Sequence, residues 1–323
     1  MNTPLTSEQL VNSFVVGTQN EPRVETLLDG TYVVVWTSNG QDGSLQGVFA
    51  QRYSAQGERI GSQTQVNTTA VDIQQDPSIA ATDDGGVVVV WESRNQDAPG
   101  SFDFGVYGQR FAADGSKAGA EFQVNATNTS FTQFDPEVTN VPGGGFAVAF
   151  TDDLGDGNSD GIRVRFYDAA GVPAGNDVQV NTETARNQGL PSIAAIEPSG
   201  AAGGLAAGGV IVVWSSPTSG TAGDGSSNGV FGQLLGTDGT PIGGEFLINT
   251  TTTNSQSDPA VAGLQGGRFV VVWEDNNGTD GSGVGVFGQV YDGDGTAVGG
   301  EFQVNVEFSS SQFDPEITAT TDG

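Results

Sequence analysis

The sequence predicts an all-β protein, a β-propeller-like array of four-stranded antiparallel meanders in about five repeats. The motif Gln-x-x-Pro recurs every 55–68 residues, and each interval holds the same succession of apolar runs and turns. No helical periodicity is visible, and 50 of the 323 residues are Gly, which disfavours helices. A fixed period of this length indicates units that bury apolar surface against their neighbours, and tandem four-stranded meanders are typical of propellers. A linear β repeat array is the alternative.

The repeat motif divides the chain into units of one continuous domain, residues 1–323. The motif begins at Gln19, Gln74, Gln133, Gln188, Gln256 and Gln312. The units are 19–73, 74–132, 133–187, 188–255 and 256–311, with partial units at 1–18 and 312–323. Residues 8–12 copy a fourth strand, and the C-terminal residues copy a first strand. Either five blades close and leave these strands spare, or the chain is part of a longer array, which we favour.

The second unit shows how each element is predicted. Its four strands are expected at Pro77–Thr82, Val87–Trp91, Gly105–Phe111 and Glu121–Asn125. The turn signals Asp83–Gly86 and Ala113–Gly115 separate the first two strands and the last two. An Asp/Asn/Gly-rich loop at 94–104 separates the middle strands. This order of strands and turns makes one antiparallel meander.

The second strand of each unit is an apolar run that ends in an aromatic residue. Val87–Trp91 is continuously apolar instead of alternating, which indicates a strand covered on both faces. Its copies are Tyr32–Trp36, Phe146–Phe150, Val210–Trp214 and Phe269–Trp273. Aromatic residues at these places could stack on carbohydrate, but their position at the end of buried runs favours core packing.

The composition excludes several classes of function. With 39 acidic and 10 basic residues the formal net charge is −29, so nucleic acid and anionic membrane surfaces are not expected partners. No apolar stretch is long enough to span a membrane, so membrane insertion is not expected. Cys and His are absent, which excludes disulfides, thiolate metal sites and His-dependent catalytic groups. A bound metal would have to be a hard cation such as Ca²⁺.

Acidic loops between the second and third strands are candidate metal sites. Asp156, Asn158 and Asp160 follow the D-x-[DN]-x-[DN]-G start of a calcium loop, although Tyr167 occupies the twelfth position where that loop has Glu. A second set is Asp275, Asn277 and Asp280. Oxygen ligands spaced by Gly can wrap Ca²⁺. The alternative is that Asp, Asn and Gly simply form turns here.

The acidic residue before the Pro of the repeat motif recurs in register at Asp76, Asp135, Asp258 and Asp314. We interpret it as structural, because a residue that nearly every unit requires usually serves the fold. Catalytic groups should instead depart from the repeat. Such residues are Arg94, Asp103, Asp153, Arg163, Arg165 and Arg186. Since they form no recognisable acid pair or arginine trio, the sequence predicts that the protein is not an enzyme.

The units resemble repeats of very large secreted bacterial proteins, namely RTX-type, hemolysin-type calcium-binding and adhesin-like polypeptides. The resemblance rests on the run GGVVVVW, the DGS loops and the strands GVFGQ and GGEFQVN, and it covers nearly the whole chain. It implies type I export without an N-terminal signal peptide and an extracellular or cell-surface location. The nonapeptide G-G-x-G-x-D repeats of RTX proteins are missing, so calcium binding cannot be carried from that family onto particular residues.

These observations lead to one main functional expectation and two alternatives. The main expectation is a non-catalytic extracellular scaffold or adhesion module that binds calcium on acidic rim loops. A glycan- or protein-binding, lectin-like propeller and a propeller glycoside hydrolase are the alternatives. The expected partners are a surface glycan or protein, and edge strands at the termini could support end-to-end self-assembly.

Overall fold

The computed structural model describes residues 8–97, 99–184, 186–198, 205, 207–217, 227–276, 278, 283–306 and 310–319. These residues form five four-stranded antiparallel sheets, each built from four strands that follow one another in the chain. The first strands of successive sheets contact one another in order, so the sheets are the blades of a propeller. The predicted fold class is confirmed. No helix in the described ranges has the length and hydropathy needed to cross a membrane.

The strands of each blade run from the axis outward in chain order. Blade 1 consists of β1 (Gln19–Thr26), β2 (Tyr32–Asn39), β3 (Gln46–Tyr53) and β4 (Arg59–Gln65). Blade 2 consists of β5 (Gln74–Ala81), β6 (Val87–Arg94), β7 (Phe104–Phe111) and β8 (Phe122–Gln123). Blade 3 consists of β9 (Gln133–Asn140), β10 (Phe146–Asp152), β11 (Gly161–Tyr167) and β12 (Val178–Gln179). Blade 4 consists of β13 (Gly189–Ile196), β14 (Gly209–Pro217), β15 (Asn228–Gly236) and β16 (Pro241–Leu247). Blade 5 consists of β17 (Gln256–Leu264), β18 (Arg268–Asp275), β19 (Gly285–Tyr291) and β20 (Ala297–Gln303).

The second strand of each blade is buried on both faces, as its continuous apolar run predicts. In β6, Val89 packs in a cluster with Val35 of blade 1, whereas Val90 packs with Val148 of blade 3. Alternate side chains of one strand therefore fill two different interfaces between blades. The indole of Trp91 is 0% exposed, and its equivalents are also buried, which confirms the core interpretation.

The first strand of blade 2 differs from its predicted bounds. In blade 2 it begins at Gln74 and not at Pro77, and its pairing with β6 is interrupted by a β-bulge between Gln75 and Ser78. Asp76 at the bulge has a positive φ of 50°, which Asp tolerates better than most residues. The bulge turns the residue before the Pro out of the normal strand alternation, and the sequence pattern gives no sign of this.

The Gln of each repeat motif joins one blade to the next. Asn125, which follows β8, donates from Nδ2 to Oε1 of Gln133 at 2.8 Å and accepts the backbone N–H of Val106 at 3.0 Å. We call this arrangement the clasp. The other Asn–Gln pairs, at 2.8–3.2 Å, are Asn12–Gln19, Asn67–Gln74, Asn181–Gln188, Asn249–Gln256 and Asn305–Gln312. The clasp explains why both residues recur.

The fourth strand is the most variable one. The prediction Glu121–Asn125 is shortened in blade 2 to Phe122–Gln123, whereas β4, β16 and β20 begin nearer the preceding turn. Outer strands have one unpaired edge, and in blade 2 an isolated bridge between Phe111 and Lys117 precedes the short strand.

Residues 310–319 carry the sixth repeat motif and lie between blade 5 and blade 1. The backbone N–H of Asp314 donates to Oε1 of Glu274 in blade 5 at 2.7 Å, and Glu316 pairs with Arg23 of blade 1 at 3.0 Å. Ile317 packs on the apolar cluster of blade 5. The axis is therefore surrounded by six copies of the motif. End-to-end assembly stays a prediction, to be checked by light scattering at high protein concentration.

Candidate active site

The bulges bring the residues before the six Pro residues together around one end of the propeller axis. This axial ring consists of Glu21, Asp76, Asp135, Leu190, Asp258 and Asp314. All six residues have a positive φ between 49° and 56°. Asp135 interacts electrostatically both with Asp76 of the neighbouring blade and with Asp258, two blades away. Since blades 3 and 5 are not neighbours in the ring, the second interaction lies across the axis.

Three carboxyl groups on one side of the ring lie close enough to act together. Asp76, Glu92 and Asp135 each place a carboxylate oxygen within 4.8 Å of the others, and we call them the carboxyl trio. Glu92 follows Trp91 at the end of the buried strand β6 and is 5% exposed. Its Oε1 accepts the backbone N–H of Asp135 at 3.0 Å, and its Oε2 accepts Nε2 of Gln75 at 3.0 Å. The strand end therefore fixes Glu92 behind the ring.

Burial raises the pKa of all three carboxyl groups of the trio. Desolvation raises the pKa of Glu92 to about 7, and the nearby charges of Asp76 and Asp135 raise it further against the hydrogen bonds it accepts. Desolvation and then the charge of Asp76 raise the pKa of Asp135 to about 6. The pKa of Asp76 is also raised, first by burial and then by Glu21. Such a cluster offers a proton donor beside a carboxylate at the same pH.

A second layer of side chains lies deeper along the axis, one residue after each Pro. Arg23 of blade 1 reaches Glu137 of blade 3 at 3.3 Å, and Oγ of Ser78 donates to the same carboxylate at 2.8 Å. Burial nevertheless raises the pKa of Glu137 to about 7, because desolvation outweighs the opposing effect of Arg23. The axis therefore holds both acidic and basic groups, and the residues of this layer differ from blade to blade.

The carboxyl trio could also hold a divalent cation, since its three ligand oxygens are mutually close and carboxylates suit hard ions. Among the described residues, this group of three carboxylates satisfies that geometry.

The structure gives the predicted calcium ligands other contacts. Oδ1 of Asp156 accepts the backbone N–H groups of Asn158 and Ser159, both at 2.9 Å, which is a turn arrangement. Asn158 donates to the carbonyl of Thr184 at 2.9 Å, and the pKa of Asp160 is raised by burial and by Asp153. All three residues lie in the loop between β10 and β11. Calcium binding there stays a prediction, to be checked by whether Ca²⁺ but not Mg²⁺ raises the melting temperature.

The second predicted set is divided by what the structure describes. Asp275 is 2% exposed, and its Oδ1 accepts Nε2 of Gln256 from the repeat motif at 3.2 Å. Asn277 and Asp280 lie outside the described residues. This contact lies within blade 5, on the Gln that also takes part in the clasp.

Two of the arginines that depart from the repeat form ion pairs with a neighbouring strand or an adjoining loop. Arg163 pairs with Asp152 at 2.8 Å and with Asp177 at 3.1 Å. Arg94 pairs with Asp72, a contact that lowers the pKa of that carboxyl. The structure does not gather these arginines into one cluster.

Sequence reasoning missed the trio because its members come from two different motifs in two units. Glu92 follows the aromatic residue of the second strand, where the other units have Thr37, Thr151, Ser215 and Glu274. A usable signal was the residue after each motif Pro, which is Arg23, Ser78, Glu137, Ser192, Ala260 and Glu316. The residue after each Pro therefore varies inside an otherwise constant segment.

Comparisons with known proteins identify the fold and no family. No family model and no curated protein matches the chain. Among solved structures, a Dyadobacter fermentans protein of unknown function is similar with a TM-score of 0.57 and 12% identity, over 89% of this chain and 83% of its own. An α-L-arabinanase from Penicillium chrysogenum, solved with arabinobiose, has a TM-score of 0.56 and 12% identity over 94% of this chain and 85% of its own. A variant of an α-L-arabinofuranosidase from Fusarium graminearum, in complex with an iminosugar inhibitor, has a TM-score of 0.56 and 14% identity with the same coverage.

These similarities, at 12–14% identity, show a shared propeller fold and do not transfer an activity. They contradict the prediction that the protein is not an enzyme. That prediction rested on finding no catalytic motif in a propeller sequence, yet propellers of the same shape include an arabinanase and an arabinofuranosidase. The main expectation of a non-catalytic calcium scaffold finds no support in these neighbours.

Proposed function

We propose that the protein is a glycoside hydrolase whose catalytic groups are carboxylates of the axial ring. The observation that carries the proposal is the carboxyl trio, in which a carboxyl with a pKa of about 6 stands beside two more carboxyls at one mouth of the axis. Hydrolysis of a glycosidic bond needs one carboxylic acid and one carboxylate at a suitable separation, and no histidine, cysteine or cofactor.

The roles follow from the exposure and surroundings of each carboxyl group. Asp135 is the general acid, because its raised pKa keeps it protonated into the weakly acidic range and its side chain is half-buried at the mouth. Asp76 is the partner carboxylate, since the oxygens of the two groups lie within 4.8 Å. Glu92 positions Asp135 by accepting its backbone N–H. It is buried behind the ring, so we assign it no direct contact with substrate.

The spacing favours a double-displacement reaction. The oxygens of Asp76 and Asp135 lie within 4.8 Å of each other. This is closer than the separation of about 6.5–9.5 Å that an inverting enzyme needs for an intervening water. In the first step Asp135 gives its proton to the leaving oxygen as the glycosidic bond breaks, and a carboxylate oxygen of Asp76 bonds to the sugar carbon. In the second step Asp135 takes a proton from water, and the resulting hydroxide oxygen displaces Asp76.

The proposed substrate class is arabinose-containing glycan, and the partner is therefore a polysaccharide or oligosaccharide. Support comes from the two neighbours, an arabinanase and an arabinofuranosidase, which share the propeller over 94% of this chain. The acidic surface suits a neutral glycan better than an anionic one, because the net charge of −29 repels polyanions.

The proposal is tested by following product release from arabinan and from nitrophenyl α-L-arabinofuranoside. Asp135→Asn and Asp76→Asn should each lower kcat/KM by about 10²- to 10⁴-fold, the usual contribution of a proton-transferring or nucleophilic group. Asp258→Asn is a matched control: it occupies the same motif position with a positive φ of 49°, but Ser215 and not a Glu contacts its backbone N–H. This control lies outside the trio and should keep most of the activity.

Two outcomes would contradict the proposal. One is equal loss of activity in the Asp258 and Asp135 variants with unchanged melting temperatures, which would place the chemistry elsewhere on the ring. The other is binding of arabinan and related glycans by the wild-type protein without any release of product.

A further inference from the structure

A phenylalanine of the fourth strand fills part of the interface between two blades at several places in the propeller. Phe122 of blade 2 packs with its ring centroid 6.0 Å from that of Phe146 and 5.3 Å from that of Tyr167, both in blade 3. Phe246 of blade 4 lies in the same way 6.0 Å from Tyr291 of blade 5. The ring of the fourth-strand Phe thus packs against aromatic residues of the next blade.

A glycine on the third strand makes room for this ring. Phe122 pairs across the strands with Gly108, and a Cβ built on Gly108 would lie 2.6 Å from the ring. Phe302 pairs with Gly288 in blade 5, where a Cβ would lie 2.9 Å from the ring. The Phe and the Gly therefore form a unit in which the ring occupies the space that a side chain on the third strand would take.

Blade 1 has neither member of this unit. In the same register position Thr64 pairs with Ala50. Compared with the Phe–Gly pair, blade 1 therefore lacks the phenyl ring on the fourth strand and gains only the methyl group of Ala50 on the third strand. The facing pair in blade 2 is also smaller, since Val87 and Phe111 stand where blade 3 has Phe146 and Tyr167.

Blade 3 shows how the same loss is compensated elsewhere. It also lacks the Phe and has Val178, but this residue pairs with Val164 in place of a Gly. Apolar volume is moved from the fourth strand to the third, and Val164 joins the cluster that packs against blade 4. Blade 1 has no such exchange, because Ala50 is much smaller than Val.

A cavity of about 320 Å³ lies at this place between blades 1 and 2. Its apolar walls include Leu27, Val33 and Ala50 from blade 1 and Val87, Val89 and Phe111 from blade 2. An apolar cavity of roughly 150 Å³ is large enough to bind benzene when it is lined by such side chains. The volume here would accept a substituted single ring or a fused pair of rings.

The rim of the cavity favours a neutral ligand. Arg52 lines one side, but its guanidinium pairs with Asp29 at 2.8 Å, donates to Oγ1 of Thr31 at 3.0 Å and donates to the carbonyl of Ala113 in blade 2. Asp114 also lines the site, and hydrogen bonds from Ser116 lower its pKa, so it is ionised at neutral pH. An anionic ligand would meet an acidic rim, and the cation there is already paired.

We propose that this interface is a binding site for a small neutral aromatic molecule, with its ring in the place that Phe122 and Phe246 occupy in their blades. The side chains that surround those rings identify the chemistry of the ligand: an aromatic face packs against an aromatic residue of the next blade, here Phe111, and against aliphatic walls. The site lies between two blades and is separate from the axial ring.

The test uses phenol and indole as probes, with cyclohexanol as a non-aromatic control, on the full chain by ligand-observed NMR and calorimetry. The double variant Thr64→Phe with Ala50→Gly restores the arrangement of blade 2. It should raise the melting temperature and weaken indole binding at least about tenfold, since its own ring fills the site. Thr64→Ala, which leaves the cavity open, should keep the wild-type affinity.

Several results would overturn the inference. Absence of phenol and indole binding to the wild-type protein, together with a more stable double variant, would make the cavity a packing defect only. Equal indole binding by wild type and double variant would place the ligand elsewhere, and equal affinity for cyclohexanol would remove the aromatic preference. If the double variant does not fold, the methyl resonances of Ala50, Val87 and Val89 decide: their shift on adding indole supports the site, and unchanged resonances reject it.

Discussion

The clasp and the axial ring belong to the same six copies of one motif but behave differently. The clasp is constant, since each motif Gln accepts a hydrogen bond from an Asn at 2.8–3.2 Å. The ring, only two residues further along, contains four Asp, one Glu and one Leu. The constant part joins neighbouring blades, whereas the variable part surrounds the axis.

The comparison shows that recurrence does not separate structure from function cleanly. Asp76 and Asp135 recur as members of the motif, and their backbone conformation is shared by every unit. The side chains behind the ring differ: Glu92 contacts the N–H of Asp135, whereas Ser215 contacts that of Asp258. The pKa of Asp135 is raised first by burial and then by the charge of Asp76, so a repeated carboxylate acquires a raised pKa from the place that the fold gives it.

Removing one clasp should have the largest effect on stability and none on the ionisation of the ring. Asn125→Ala leaves the buried N–H of Val106 and the amide of Gln133 without this partner. Because unsatisfied buried polar groups each cost about 1–3 kcal/mol, we expect the free energy of unfolding to fall by about 2–4 kcal/mol. Urea unfolding measures this change, and the dependence of stability on pH should keep its wild-type slope.

The matched control for the clasp is Asn12→Ala. Asn12 donates to Gln19 at 3.0 Å in a half-buried segment, so water can replace its hydrogen bond and the expected cost is below about 1 kcal/mol. Equal costs for the two variants would show that the clasp does not act through burial.

A change in the carboxyl trio should instead alter how stability depends on pH. The pKa of Glu92 is about 7 in the folded protein and about 4.5 when unfolded, so the folded state holds its proton over a wider range. The stabilisation from this group is present below pH 4.5 and is lost as pH rises through 7. Glu92→Gln removes the ionisation and should increase the free energy of unfolding at pH 8 by about 1–3 kcal/mol relative to wild type. Urea unfolding at pH 5 and pH 8 measures it.

Glu274→Gln is the control for this experiment. Glu274 occupies the same position in blade 5 and accepts the N–H of Asp314, and burial raises its pKa by a smaller amount. Its replacement should flatten the pH dependence less. A Glu92→Gln variant that is no more stable than wild type at pH 8 would mean that this carboxyl is ionised at no cost.

Much of the fold could be predicted from the sequence because it depends on local patterns. The spacing of the motif predicted about five repeats, and the continuous apolar run Val87–Trp91 predicted a strand covered on both faces. The start of the first strand could not be predicted, since the bulge at Asp76 depends on a backbone conformation that closure of the ring stabilises.

The candidate site was harder to predict for a geometric reason. Glu92 and Asp135 are 43 residues apart and become neighbours only when consecutive blades close around the axis. Their ionisation depends on burial, which no sequence pattern records. The loop residues Asp156, Asn158 and Asp160 were more conspicuous because they are adjacent in the chain, and adjacency is what a motif can register.

The smallest expected effect comes from a substitution that makes all six members of the axial ring acidic. Leu190 is the one apolar member among the six, it is 42% exposed with a positive φ of 56°, and its backbone N–H donates to the carboxyl of Asp135. Leu190→Asp should change the free energy of unfolding by less than about 0.5 kcal/mol, because Asp accepts a positive φ and the site is half exposed.

The added negative charge of this variant, beside Asp135, should raise the pKa of Asp135 further. As the general acid must be protonated, the basic limb of the kcat/KM profile should then move to higher pH by less than about one unit. The neutral variant Leu190→Asn controls for shape. A basic limb that stays in place in the Asp variant would argue that the proton donor is not Asp135, even if the chain proves to hydrolyse glycans.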